Sequence, residues 1–223
     1  MHPTGFLPLI DNVEYVEFND VDAIQKAMND DVCAVVAECI QGEGGIIPMK
    51  KEFYQALRYL CDKFNALLII DEVQTGVGRT GEFFAFQHYA KKYEDMPDII
   101  SLAKGLANGV PICAICAKEK CAKAFMPSDH ASTFGGNYLA TKAGILTIKE
   151  ILNLNLVQNA KNTGEYLFQK LNELKPLIKD VRGMGLMIGA EIEGNIGEIV
   201  QKCLDMGLLI IGQEITQSGL FRH

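Results

Sequence analysis

Val32 to Ala37 form a short apolar run, and a second run from Ala66 to Ile70 ends abruptly in Asp71. Between them Phe53, Leu57, Leu60, Cys61 and Phe64 recur at intervals of three and four, the spacing that lays one apolar stripe along a helix. The pattern predicts a strand, helix, strand unit. Ile99 to Leu102 and Ile112 to Ala117 supply two further strands, so the first two-thirds of the chain reads as an α/β layer with a largely parallel sheet. Asn137 to Leu156 is compatible with one helix. The remainder runs helix, then Arg182-Gly183-Met184-Gly185, then alternating apolar stretches from Leu186 and a strand over Leu208 to Gly212, part of a smaller α+β domain. The expected divisions are residues 1–136, a connecting helix over 137–156, and 157–223. Internal repeats and low-complexity segments are absent.

Composition narrows the class. A chain of 223 residues can bury roughly 70% of its unfolded surface, enough for one good core or two modest ones. It is 48% hydrophobic, yet no apolar stretch approaches the ~18 residues that span a bilayer, and no charged-then-apolar leader follows Met1. A soluble, cytoplasmic protein is expected, with its seven cysteines as reduced thiols. A net charge of −7 and the lack of any lysine or arginine run argue against nucleic acid. Cys113 and Cys116 have C-x-x-C spacing, but on a strand positions three apart face opposite ways. His2, His88, His130 and His223 show no metal spacing, and no metal is expected.

The candidate chemistry starts at the strand ends. A buried run ending in an acid is costly, because a carboxylate stripped of water needs a cationic partner or its pKa rises. Lys104 follows the run Asp98 to Leu102, which puts a lysine at the end of a strand neighbouring Asp71. The two could form an ion pair, or together hold one ligand, Asp71 on a protonated ring nitrogen and Lys104 on an aldehyde. Pyridoxal phosphate requires such a pair. In open α/β sheets ligands sit beyond the carboxyl ends of the strands, where both residues fall. Taken singly, an acid after a strand is usually a cap and a lysine usually a surface residue. Gly76, Gly78 and Gly81 also match G-x-G-x-x-G, the mark of a dinucleotide site. However, Asp71 to Thr75 separate them from the strand and put two acids where a pyrophosphate would approach.

Four strings occur in order: Gln41-Gly42-Glu43-Gly44-Gly45, Asp71-Glu72-Val73-Gln74-Thr75-Gly76-Val77-Gly78-Arg79-Thr80-Gly81, Ser101-Leu102-Ala103-Lys104-Gly105 and Ser132-Thr133-Phe134-Gly135-Gly136-Asn137. Together they resemble the class III, ornithine aminotransferase-like, pyridoxal-phosphate aminotransferases, most of all the acetylornithine branch, over about Gly5 to Gly212. The resemblance implies a fold-type I PLP-dependent transferase, with a partial large domain and a partial α+β C-terminal domain, working as a homodimer. It implies pyridoxal 5'-phosphate as cofactor and transfer of an amino group from a small donor, N-acetylornithine, to 2-oxoglutarate in arginine synthesis. Ornithine, succinyldiaminopimelate and 4-aminobutyrate enzymes share these motifs.

Residue by residue, the resemblance gives Asp71 the pyridine nitrogen and Lys104 the cofactor aldehyde, after which the lysine moves the substrate Cα proton. Glu72, Val73 and Gln74 belong to the cofactor contacts, Val73 against the ring face and Gln74 near the ring hydroxyl. Thr133 would reach the partner subunit's cofactor phosphate, with Ser132 and Glu43 on the substrate side. Cys39 stands where proline is usual, and Cys113 where glycine is usual. Family members also carry an N-terminal phosphate cup, a ring-stacking aromatic, and a C-terminal arginine that pairs with the glutamate matching Glu43. None has a match between Met1 and His223, so the expectation is a fragment that binds the cofactor weakly and does not transaminate alone. A further reading from another class is a silent interaction module.

Overall fold

The structure, a computed structural model, describes residues 10–212; His2, His223 and the Gln213-to-Gly219 segment lie outside the described residues. Helix α1 (Val21–Ala27) starts at Asp20, whose carboxylate caps the Ala23 amide at 2.9 Å. Strand β1 (Ala34–Glu38) is followed by a two-stranded ribbon, β2 (Ile40–Gln41) and β3 (Ile47–Pro48), then α2 (Lys51–Lys63) and β4 (Leu67–Asp71). Strand β5 (Ile99–Leu102) leads through a 3₁₀ turn to β6 (Ala114–Ala117) and the short α3 (Glu119–Ala122). Helices α4 (Tyr138–Asn153) and α5 (Leu156–Asn172), the hairpin β7 (Ile178–Met184) and β8 (Met187–Ile192), and α6 (Ile196–Asp205) complete the fold.

The main sheet has the order β1-β4-β5-β6. β1, β4 and β5 run parallel, as the strand, helix, strand pattern predicts, and β6 is antiparallel to β5. Residues 103–113 alone join β5 to β6, too short a link to hold the crossover helix a parallel return needs. One sheet face carries the core: Phe53, Leu57, Leu60 and Cys61 of α2 pack on Leu68, Ile70, Ile100 and Leu102. Each such fully buried side chain contributes about 1.5–3 kcal/mol before entropy is set against it. Tyr54 stacks on Tyr89 with ring centroids 5.2 Å apart, and both hydroxyls donate to backbone carbonyls, of Asp95 and Met49, at 2.8 Å. At the amino end of the sheet Asp98, 1% exposed, accepts from Arg58 and from the Leu68 amide, both at 2.9 Å, and pairs with Lys120 at 2.8 Å.

Two expectations change. The helix expected over 137–156 stops at Asn153, and α5 begins at Leu156 after Asn155, whose φ of 52° is a turn conformation asparagine tolerates. Leu208 to Gly212 form no strand; the Leu208 amide closes the end of α6 on the Cys203 carbonyl at 2.8 Å instead. Among the described residues no helix is long and apolar enough to cross a membrane, and no cluster of three or more His, Cys, Asp or Glu side chains is placed to hold a metal. Cys113 and Cys116 are both exposed free thiols.

Candidate functional site

Parallel register puts Glu38, Asp71 and Ser101 on one rung at the carboxyl ends of β1, β4 and β5. Asp71 is half-buried. Its Oδ1 accepts from the Val73 amide at 2.8 Å and from Ser101 Oγ at 2.9 Å, while Oδ2 takes no hydrogen bond among the described residues. Of the two expected arrangements, a direct ion pair between Asp71 and Lys104 is not formed. Two donors and partial solvent contact hold the acid, and among the described residues no cation comes within ion-pairing distance. Lys104 opens the 3₁₀ turn after β5, is exposed, and stands one strand over from Asp71.

Glu38 ties these groups together, and sequence reasoning missed it. Burial raises its pKa above the usual carboxylate value; the Gly42 amide, donating at 3.2 Å, opposes this, Asp71 adds to it, Lys104 opposes it and Glu43 adds to it. Glu38, Glu43, Asp71 and Lys104 thus share one electrostatic neighbourhood. The missed signal was visible, since β1 is an apolar run that ends in an acid just as β4 does.

Backbone strain marks the same end of the sheet. Ile46, Val77 and Lys104 have φ of 57°, 59° and 45°, a region that side chains with a Cβ avoid and that is exceptional for β-branched residues. All three lie in the loops that carry Glu43, Asp71 to Gly81, and the lysine itself. Side chains crowd these loops closely. A Cβ on Gly42 would lie 2.5 Å from the Gln74 amide nitrogen, and one on Gly189 would lie 3.0 Å from Ile46 Cβ. Arg182 Nε donates to the Gly45 carbonyl at 2.7 Å, so the C-terminal hairpin clamps the Glu43 loop.

The glycines of the G-x-G-x-x-G string serve packing, not a pyrophosphate. A Cβ on Gly78 would meet Val157 at 3.2 Å and one on Gly81 would meet Lys161 at 3.0 Å, so this loop is the joint between the sheet and α5. Glu72, expected among the cofactor contacts, is turned into the core. It is 1% exposed, and its carboxylate accepts from Thr75 Oγ1 at 2.7 Å and from the amides of Ala85 and Phe86 at 3.0 and 2.9 Å. Strand parity explains this: Asp71 lies on the face opposite the core residue Ile70, so its successor turns into the core.

Val73 and Gln74 are half-buried beside Asp71, Gln74 against the Gly42 backbone. Ser132 and Thr133 lie in an exposed loop before α4, where Ser132 Oγ accepts from the Gly135 amide at 3.0 Å. No hydrogen bond joins either residue to the strand-end row among the described residues. Cys39 is fully buried, and burial pushes its thiol pKa well up, which leaves it an inert packing residue.

The chain is similar in sequence and in fold to known proteins. The family profile "Aminotransferase class-III" matches residues 4–217. The chain is 49% identical over 211 residues to the acetylornithine aminotransferase of Clostridium acetobutylicum, covering 93% of this chain and 54% of that protein. With the acetylornithine aminotransferase of Methanocaldococcus jannaschii identity is 47%, covering 92% and 52%. Among solved structures, an ornithine aminotransferase from Toxoplasma gondii superposes with a TM-score of 0.86 at 33% identity, over 92% of this chain and 50% of that one. The N-acetylornithine aminotransferase of Stenotrophomonas maltophilia gives 0.76 at 36% identity, over 88% and 52%. The chain spans about half the length of the curated relatives it matches.

Proposed function

Since the chain belongs to the class-III aminotransferase family, we propose that its strand-end row is the cofactor floor of a pyridoxal 5'-phosphate-dependent aminotransferase. One observation carries the reading: Asp71 and Lys104 lie at the ends of adjacent hydrogen-bonded strands, the carboxylate fixed through one oxygen and the lysine held on a backbone it would not otherwise adopt. The residues fit the group. Oδ2 of Asp71 has acceptor capacity to spare for a ring N–H, and an exposed Lys104 amine is open to an aldehyde.

Bound there, pyridoxal phosphate supplies an aldehyde and a protonated ring that accepts the electron pair released at a substrate Cα. Asp71 keeps the ring nitrogen protonated, because a carboxylate beside it stabilises the pyridinium charge. Ser101 and the Val73 amide fix the angle of that carboxylate. Lys104 Nζ offers the amine that holds the aldehyde and, when neutral, the base that carries the Cα proton. Val73 would pack against the ring face and Gln74 would approach its hydroxyl. Glu43 and Ser132 face substrate, and Thr133 serves the cofactor phosphate of a second subunit in a homodimer.

The amino donor is N-acetylornithine and the acceptor 2-oxoglutarate, giving N-acetylglutamate semialdehyde and glutamate in cytoplasmic arginine synthesis. The named relatives support this. Ornithine as donor is the second reading, favoured by the fit to the Toxoplasma structure. The test is borohydride reduction of the protein with pyridoxal phosphate, followed by peptide mapping. Label concentrated on Lys104, and reduced in Asp71→Asn, is expected; label spread evenly over surface lysines refutes the assignment. Glutamate formation from 2-oxoglutarate with N-acetylornithine against ornithine, assayed with the chain supplemented by the portion of the Clostridium relative it does not match, then decides the donor.

A further inference from the structure

The loop 42–46 joins β2 to β3 and carries Glu43, and charged side chains from opposite parts of the molecule hold its two ends. At its start the Gly42 amide donates to Glu38 Oε2 at 3.2 Å. Near its end the Gly45 carbonyl accepts from Arg182 Nε at 2.7 Å. Gly42 and Gly45 are buried while Glu43 between them is exposed, so the backbone is fixed on either side of a side chain open to solvent. The loop's own bonds are long, the amides of Gly45 and Ile46 reaching the Gly42 carbonyl at 3.3 and 3.4 Å. Ile46 has φ of 57°, which a β-branched residue keeps only where its surroundings hold it.

Each anchor is itself fixed. Glu38 ends β1 on the rung it shares with Asp71, and strand parity sets it on the face opposite the packed residues Val35 and Ala37. Arg182 pairs through Nη1 with Asp180 at 2.8 Å and Glu191 at 3.2 Å, so its charge is balanced on its own hairpin and Nε is left to the loop. Its rung partner Gly189 supports the same loop: a Cβ there would lie 3.3 Å from the Gly45 carbonyl oxygen. Gln74 rests on the other end, where a Cβ on Gly42 would come within 2.5 Å of its amide nitrogen.

We propose that Glu38 and Arg182 are positioning residues for Glu43, Glu38 acting through the Gly42 amide and Arg182 through the Gly45 carbonyl, so that the carboxylate row and the C-terminal hairpin set this loop jointly. The substrate-side role of Glu43 rests on the aminotransferase reading; the two anchors do not. The Glu38 anchor is sensitive to pH. Burial raises its pKa, the Gly42 bond lowers it, Asp71 raises it, Lys104 lowers it and Glu43 raises it. A protonated carboxyl accepts more weakly than a carboxylate, so the Gly42 end loosens as pH falls toward that raised value, whereas the Arg182 guanidinium keeps its proton throughout.

The test is ¹⁵N NMR of the 223-residue chain without cofactor. The Gly42 amide shift should titrate with a midpoint above 4.5, the ordinary value for glutamate, moving down in Asp71→Asn and up in Lys104→Met, and this titration should vanish in Glu38→Gln. Hydrogen exchange at Gly45 and Ile46 should speed up roughly tenfold in Glu38→Ala and in Arg182→Ala, each of which loses a charge-assisted bond. Glu38→Gln keeps an acceptor oxygen and should retain most of the protection at neutral pH. Unchanged exchange along β4 verifies the fold of each variant. Borohydride labelling of Lys104 with pyridoxal phosphate should be the same in Arg182→Ala as in the wild type, because Arg182 grips the Glu43 loop and not the strand ends. A Gly42 titration above 4.5 that survives Glu38→Gln, loop exchange indifferent to Arg182→Ala, or loss of Lys104 labelling in that variant would each overturn the assignment. Failure of the loop measurements leaves the aminotransferase reading standing, since they use the unloaded chain; absence of Lys104 labelling in the wild type refutes that reading and leaves the loop measurements to decide the anchors.

Discussion

Replacing Lys104 by glycine should stabilise the protein, although it removes the residue assigned the central chemistry. With φ at 45°, Lys104 occupies the left-handed region, where a Cβ costs about 1–2 kcal/mol. Its side chain is exposed and makes no hydrogen bond or ion pair among the described residues, so truncation forfeits little packing. Glycine removes the steric cost and returns part of the gain, about 0.5–1 kcal/mol, as extra freedom in the unfolded chain. The net expectation is that Lys104→Gly exceeds Lys104→Ala by about 1 kcal/mol, roughly 2–4 °C in melting temperature for a chain of this size. Urea unfolding with matched slopes measures it. Lys63, exposed in the last turn of α2, is the control: there alanine should beat glycine by about 1 kcal/mol, the ordinary helix order. An alanine variant at 104 as stable as the glycine variant would show that the backbone is not strained, and would remove the structural sign that this lysine is held in place for a task.

Gly185→Ala should cost about 2–4 kcal/mol in urea unfolding, since its φ is 54° and a Cβ would lie 2.4 Å from the Thr80 carbonyl carbon. Arg58→Met should cost about 3 kcal/mol, because Asp98 stays buried with Lys118 and Lys120 as its remaining cations. Burial holds the pKa of His88 below its ordinary 6.5, against Glu82 and the Thr80 carbonyl, which raise it, and with Lys91 and Lys161, which lower it. Because the unfolded chain takes up this proton more readily, stability is greatest above about pH 6.5 and falls as pH drops toward the folded-state value. Urea midpoints at acid and neutral pH should differ more in the wild type than in His88→Gln.

The sequence showed the layout of the sheet because strands apolar on both faces leave a clear trace: apolar runs too short for helices, separated by one run with helical spacing. It singled out Asp71 and Lys104 because both follow apolar runs at neighbouring strand ends, where the structure also places them. Applied evenly, the same reasoning would also have found Glu38, whose position relative to its strand repeats that of Asp71. What local pattern cannot carry is direction beyond the strand. Adjacent acids looked equivalent, yet Asp71 stays half-buried at the strand end and Glu72 satisfies three donors in the core. The antiparallel turn of β6 and the break at Asn155 depend on link length and one backbone angle, which apolar spacing does not encode.

Strain is the deeper omission. Isoleucine, valine and lysine are ordinary letters in a loop, and nothing in their order announces that Ile46, Val77 and Lys104 sit where asparagine or glycine would be comfortable. The reason emerges only from what surrounds them. Arg182 grips the Gly45 carbonyl, Gly185 admits the Thr80 backbone, and Gly189 leaves room for Ile46, so distant parts of the C-terminal hairpin press on the loops beyond β2 and β4. Those contacts join segments more than a hundred residues apart. The C-terminal unit thus acts on the site without supplying a reacting group, by fixing the loops between which Asp71 and Lys104 stand. Loosening Arg182 should relax the Glu43 loop while leaving the Asp71 to Ser101 hydrogen bond intact, because that bond is anchored by strand pairing alone.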